Sequence, residues 1–124
     1  MINMKKLTKI ACSLAVVGVL STTSAYAATS SVHVGGSNVA PTGAKISASK
    51  IGHTGQNYGS VTFATYAKKV NSVLADSTVS SASLGGGDEY SVNLSPGSGK
   101  YYVKAKVTGS GAAYASGVTS VYSR

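Results

Sequence analysis

The sequence predicts an all-β protein: one small antiparallel β-sandwich of about seven short strands. Three observations carry this. Ser, Gly, Ala, Thr, Val and Tyr dominate after residue 28 while Leu is scarce, a composition that suits pleated strands better than helices. Apolar residues alternate with polar ones in short runs, as half-buried strands require. Glycine clusters punctuate those runs every ten to twenty residues, which is the spacing of tight turns in a two-sheet fold.

Taken in order, Ser31 to Val34 alternates with Val32 and Val34 on one face and stops at Gly35-Gly36. Asn38, Pro41 and Gly43 then mark 37–43 as a loop, because each favours turn backbone over a ladder position. Residues 45–51 form a poorer strand, expected to end at Gly52 and the loop from Gly55 to Gly59. Residues 60–69 fit two periods: Val61, Phe63, Thr65 and Ala67 alternate, yet Phe63, Tyr66, Val70, Val73 and Leu74 fall at helical spacing. The β-branched start favours a strand over 60–68, with a short helix or turn over 69–76. Thr78 to Leu84 is a weak strand closed by Gly85-Gly86-Gly87. Tyr90, Val92 and Leu94 alternate, Ser95-Pro96-Gly97-Ser98-Gly99 turns the chain, and Tyr101, Val103, Ala105 and Val107 alternate again. Val118 to Tyr122 supplies the last strand.

Ahead of this domain stands a segment with the pattern of an export signal. Lys5, Lys6 and Lys9 precede an apolar run from Ile10 to Leu20, and Ala25-Tyr26-Ala27 has the small-x-small form cut by signal peptidase. The expected division is 1–27 as signal peptide and 28–124 as a single domain, with translation starting at Met1 or Met4. Cys12 falls inside the apolar run and leaves with it, so the mature chain is expected to fold without disulfides. An eleven-residue apolar run is shorter than the roughly 20 residues that span a bilayer. The chain also ends without an apolar anchor, and the expected localisation is secreted, extracellular.

Charge follows from that division. Of the eleven Lys and Arg, eight lie beyond residue 27, and with Asp76, Asp88 and Glu89 they give the mature chain a net charge of +5. Such a balance suits anionic partners such as wall polymers, phospholipid head groups or nucleic acid, and it also keeps a protein soluble.

The stretch Leu94-Ser95-Pro96-Gly97, followed after three residues by Tyr101-Tyr102-Val103-Lys104-Ala105-Lys106-Val107, resembles a strand end, corner and next strand of fibronectin type III and related immunoglobulin-like domains. The resemblance covers roughly the last 35 residues, with one extra residue before the tyrosine and no tryptophan for the core. It implies an immunoglobulin-like sandwich in which the hydroxyl of Tyr101 bonds back to upstream backbone. Of activity it implies nothing, because a fold of this kind hosts many functions.

Catalytic chemistry is poorly supplied. The acids and imidazoles of the mature chain are His33, His53, Asp76, Asp88 and Glu89. Asp88 and Glu89 are adjacent, so in an extended segment they face opposite ways and cannot act as a facing pair. No Gly-x-Ser-x-Gly elbow occurs. His33 and His53 lack the spacing of a metal site, Gly85-Gly86-Gly87-Asp88-Glu89 lacks that of a calcium loop, and Gly97-Ser98-Gly99-Lys100 lacks the first Gly and the final Ser or Thr of a phosphate loop. No catalytic residue, cofactor or metal is expected, nor specific nucleic-acid binding.

One constellation points to binding. If Tyr101, Val103, Ala105 and Val107 face the core, then Tyr102, Lys104 and Lys106 line the opposite face. An aromatic ring beside two cations is a docking stripe for an anionic polymer. The leading expectation is therefore a non-enzymatic binding protein acting at a cell surface, its partner a cell-wall or other anionic polymer or an extracellular protein. The alternatives are a secreted antimicrobial, bacteriocin-like protein, or an inhibitor of a secreted enzyme presenting the loop at 95–99. The oligomeric state is left open.

Overall fold

The computed structural model describes residues 28–124; the expected signal peptide, 1–27, lies outside the described residues. Eight strands follow in chain order: β1 (Thr29–Gly35), β2 (Ile46–Ala48), β3 (Ile51–Asn57), β4 (Phe63–Lys69), β5 (Ser77–Leu84), β6 (Glu89–Leu94), β7 (Gly99–Val107) and β8 (Ser116–Ser123), with one 3₁₀ turn, Ala112–Tyr114, before β8. They form two four-stranded sheets, ordered β1-β8-β3-β6 and β2-β7-β4-β5. Every pairing is antiparallel.

The sandwich is as expected, but its wiring is not immunoglobulin-like. In that arrangement the last two strands are neighbours in one sheet; here β7 and β8 lie in opposite sheets, and β8 runs between β1 and β3. The two orders together are those of an eight-strand jelly roll, two interleaved Greek keys. The reason lies at the edge of β7 that a last strand would have taken. It is occupied by β2 and by the preceding loop, where Gly43, Pro41 and Val39 exchange backbone bonds with Val103, Ala105 and Val107. Ser30 of β1 reaches across to this edge, its Oγ accepting the N–H of Val103 at 3.1 Å. Gly43 is what admits it: a Cβ there would stand 2.3 Å from Ser30 Oγ.

The core lies between the sheets. Val32, Val34, Ile51 and Val121 from one sheet meet Phe63, Leu84, Tyr101 and Val103 from the other, all buried. The expected end at Gly52 is corrected, because β3 runs on through Gly52 and Gly55 as a central strand. Its glycines mark close approach, not a turn: at Gly55 a Cβ would meet Leu84 Cδ1 at 2.8 Å. The expected single strand 45–51 is thus two, β2 and β3, one in each sheet, which raises the count to eight. Residues 70–76 are a turn and not a helix, with Asn71 Oδ1 accepting the N–H groups of Val73 and Leu74, both at 2.9 Å.

The corner before β7 is built as the resemblance implied. The Tyr101 hydroxyl donates to the carbonyl of Gly97, a residue at φ 96° that glycine adopts without strain. Lys69 closes over it, with Nζ 5.7 Å from the Tyr101 ring centre.

Candidate functional site: a lysine-lined sheet face

Alternation along β7 is as expected. Tyr101, Val103 and Ala105 are fully buried, and Lys104 and Lys106 are exposed on the outer face of the β2-β7-β4-β5 sheet. Tyr102 shares that face but is not open to a ligand. Only 8% of it is exposed, and its hydroxyl donates to Asp76 Oδ2 at 2.6 Å. The loop 70–76 folds over it, so Tyr102 anchors a loop and is corrected as a stacking surface.

The aromatic ring that the face does offer comes from β4. Phe63, Thr65 and Ala67 point inward, so Tyr66 and Lys68 point outward, and the register sets Tyr66 directly beside Lys104 and Lys68 beside Tyr102. Side chains so paired stand about 5 Å apart at Cβ. Tyr66 is partly exposed. Lys100 extends the outward row of β7, and Lys45, one residue before β2, lies close enough to Asp76 to act on its ionisation. The face therefore carries five lysines, Lys45, Lys68, Lys100, Lys104 and Lys106, and among the described residues one carboxylate, Asp76.

That carboxylate is already engaged. The hydroxyl of Tyr102 holds it below the usual carboxylate range, the backbone N–H of Asn71 adds to this, and Lys45 and Lys68 add further. The same bond, with burial behind it, pushes the Tyr102 phenol up to about 12. Lys68 also donates to Thr78 Oγ1 at 2.8 Å. Lys104 and Lys106 lie two and four residues beyond Tyr102 on β7, beside Tyr66 and Ala64 of β4.

Other sequence candidates are placed apart. His33 points to solvent from β1, whereas His53 is fully buried in β3, on the opposite face of the same sheet. Asp88 caps its own turn, accepting the N–H of Gly85 at 2.8 Å, and Glu89 accepts from Gln56 at 3.1 Å. Among the described residues no three His, Cys, Asp or Glu gather as a metal site would need.

His53 instead organises a polar chain through the core. Its Nδ1 lies 2.9 Å from Ser80 Oγ, which lies 2.9 Å from the Tyr90 hydroxyl. Its Nε2 lies 2.9 Å from Thr65 Oγ1, which bonds Thr119 Oγ1, which donates to the carbonyl of Thr54 at 2.7 Å. Burial pulls the imidazole down to about 4, so it is neutral at pH 7.

Sequence reasoning found Lys104 and Lys106 and missed Tyr66, Lys68, Lys45 and Lys100. The alternation of β4 carried the signal for Tyr66 and Lys68; that β4 lies beside β7 did not show, because strand order is not local information. No protein-family model matches this chain, and no curated protein matches it.

Proposed function

We propose that this protein is a secreted, non-enzymatic binding module that takes an anionic extracellular or cell-surface polymer on the outer face of its β2-β7-β4-β5 sheet. The observation that carries this reading is the density of cations there. Five of the eight lysines and arginines beyond residue 27 share one sheet face whose single carboxylate is tied to Tyr102. Phosphate or carboxylate groups on a polymer would meet Lys104 and Lys106, and a sugar ring would lie on Tyr66. Extended sheet faces suit extended ligands, since successive outward residues on one strand are about 7 Å apart.

The test is salt-dependent binding of residues 28–124 to an immobilised wall polymer bearing phosphate or carboxylate groups. Lys104→Gln with Lys106→Gln should weaken binding at low salt by about tenfold or more and reduce the steepness of its salt dependence by about two counterions. Unchanged affinity and slope would remove this face as the site.

A further inference from the structure

The loop between β4 and β5 holds two aliphatic side chains out in water. Val73 is 85% exposed and Leu74 72%, adjacent at the tip of residues 70–76. Isolated exposed aliphatics are ordinary; this pair is held in place by bonds from its own loop. Asn71 Oδ1 accepts both N–H groups of the tip, the N–H of Asn71 donates to Asp76 Oδ1 at 2.8 Å, and Asp76 is clamped by Tyr102 from β7. The backbone that would have to bend to fold Val73 and Leu74 back onto the domain is thus bonded at both ends.

The base of this loop is cationic. Lys45 and Lys68 act on Asp76 at its base, and Lys100 adjoins the loop entrance, its carbonyl accepting the N–H of Val70 at 2.9 Å. An apolar tip with lysines at the base of its loop has the profile of a contact that enters a bilayer interface, aliphatic carbons below the headgroups and lysines level with the phosphates. A hydrated polymer has no apolar compartment to receive the tip. An anionic lipid surface offers both halves of the match.

We infer that the 70–76 loop is a membrane-docking wedge: Val73 and Leu74 insert at the acyl boundary of an anionic bilayer while Lys45, Lys68 and Lys100 pair with lipid phosphates. Two aliphatic side chains give shallow, reversible docking, well short of a spanning helix. This goes beyond the polymer reading above, with which it shares Lys45, Lys68 and Lys100; Val73 and Leu74 serve the wedge alone and Lys104, Lys106 and Tyr66 the polymer site alone, so variants at those positions test the two separately.

The chain has no tryptophan, so Leu74→Trp in residues 28–124 places a single indole at the tip. With vesicles of phosphatidylglycerol in phosphatidylcholine its emission should shift to the blue and be quenched by bromine-labelled acyl chains; pure phosphatidylcholine should produce much less of either. Val73→Ser with Leu74→Ser keeps every backbone bond of the loop and should reduce co-sedimentation with the anionic vesicles about tenfold, leaving polymer binding unchanged. No blue shift, or a double-serine variant that sediments like the parent, overturns the wedge. A retained shift in a chain whose polymer binding ignores Lys104→Gln and Lys106→Gln overturns only the polymer reading.

Discussion

The Tyr102 hydroxyl and the Asp76 carboxylate, 2.6 Å apart, join the middle of the lysine-lined face to the loop that projects from its end. The bond has two pH limits. Asp76 titrates below its ordinary range, so its share of stability is present above the unfolded carboxylate pKa and is lost as the pH falls through the lowered folded value. Tyr102 titrates above its ordinary value, at about 12, so its share is complete below pH 10 and is lost as the pH rises from about 10 to 12. Tyr102→Phe removes the bond and leaves the ring in place. Amide exchange at Val73 and Leu74 should then quicken by about tenfold, the weight of roughly one hydrogen bond, while exchange in β3 and β8 stays unchanged. Equal quickening throughout the domain would show that the bond serves the whole fold and not the loop.

A second prediction concerns His53. Each hydroxyl in its chain has one proton to give, and Thr119 gives its own to the Thr54 carbonyl. Thr65 must therefore donate to Thr119 and accept from His53 Nε2–H, while Nδ1 accepts from Ser80, which accepts from Tyr90. The neutral Nε2–H tautomer satisfies the chain completely. Protonation would place an N–H at Nδ1 against a hydroxyl already donating to it, inside the core. With the imidazole near 4 when folded and 6.5 when free, the unfolded chain binds the extra proton first. Stability is full above pH 6.5 and declines as the pH falls toward 4, by about 3 kcal/mol over that interval. Urea unfolding measured from pH 4 to 8 should show this slope, and nitrogen NMR should report the Nε2–H form. His53→Gln should lower stability at pH 7 and flatten the slope; a slope that persists in the variant would place its origin elsewhere.

Glycine positions within strands give a third, comparative prediction. A Cβ at Gly117 would stand 2.5 Å from the Phe63 ring and 2.6 Å from the Gln56 carbonyl. Phe63 is fully buried and the carbonyl is backbone, so neither can yield cheaply. At Gly52 the clash is closer, 2.1 Å, but with the far end of the Tyr122 ring, a partly exposed side chain and not buried core or backbone. Gly117→Ala should therefore cost about 2 to 3 kcal/mol in urea unfolding and Gly52→Ala less, about 1 kcal/mol. The opposite order would mean that Tyr122 is held more firmly than Phe63.

These same glycines show where sequence reading reaches its limit. Alternation in β1, β6 and β7 is visible because Val, Tyr and Leu recur at every second place with turn residues at both ends. In β3 the inward places include Gly55, and Gly52 lies outward between Ile51 and His53, so the apolar signal vanishes and a central strand reads as loop. What those glycines accommodate, Leu84 and Tyr122, lies some thirty and seventy residues away. The corner at Tyr101 was legible because its partner Gly97 is four residues off. Strand order was not: placing β8 beside β1 and β3 depends on which edges are already filled. The binding face was half legible for the same reason. Lys104 and Lys106 follow from the period of one strand, whereas Tyr66 and Lys68 join them only through the β4–β7 register.

That division yields the last prediction. Tyr102 and Tyr66 occupy neighbouring strands on one face, one covered and tied to Asp76, the other partly open beside Lys104. If the face binds a polymer through ring stacking together with its lysines, the two tyrosines must differ in kind. Tyr66→Ala removes the only outward ring of β4 and should weaken polymer binding about tenfold at constant salt slope, as loss of one stacking contact does. Tyr102→Phe keeps the ring that packs the sheet and releases an Asp76 carboxylate that is already ionised, so the charge of the face is unchanged and binding should change little. The pair of titrations separates stacking from simple attraction. Should Tyr66→Ala bind like the parent while Lys104→Gln does not, the face works by charge alone.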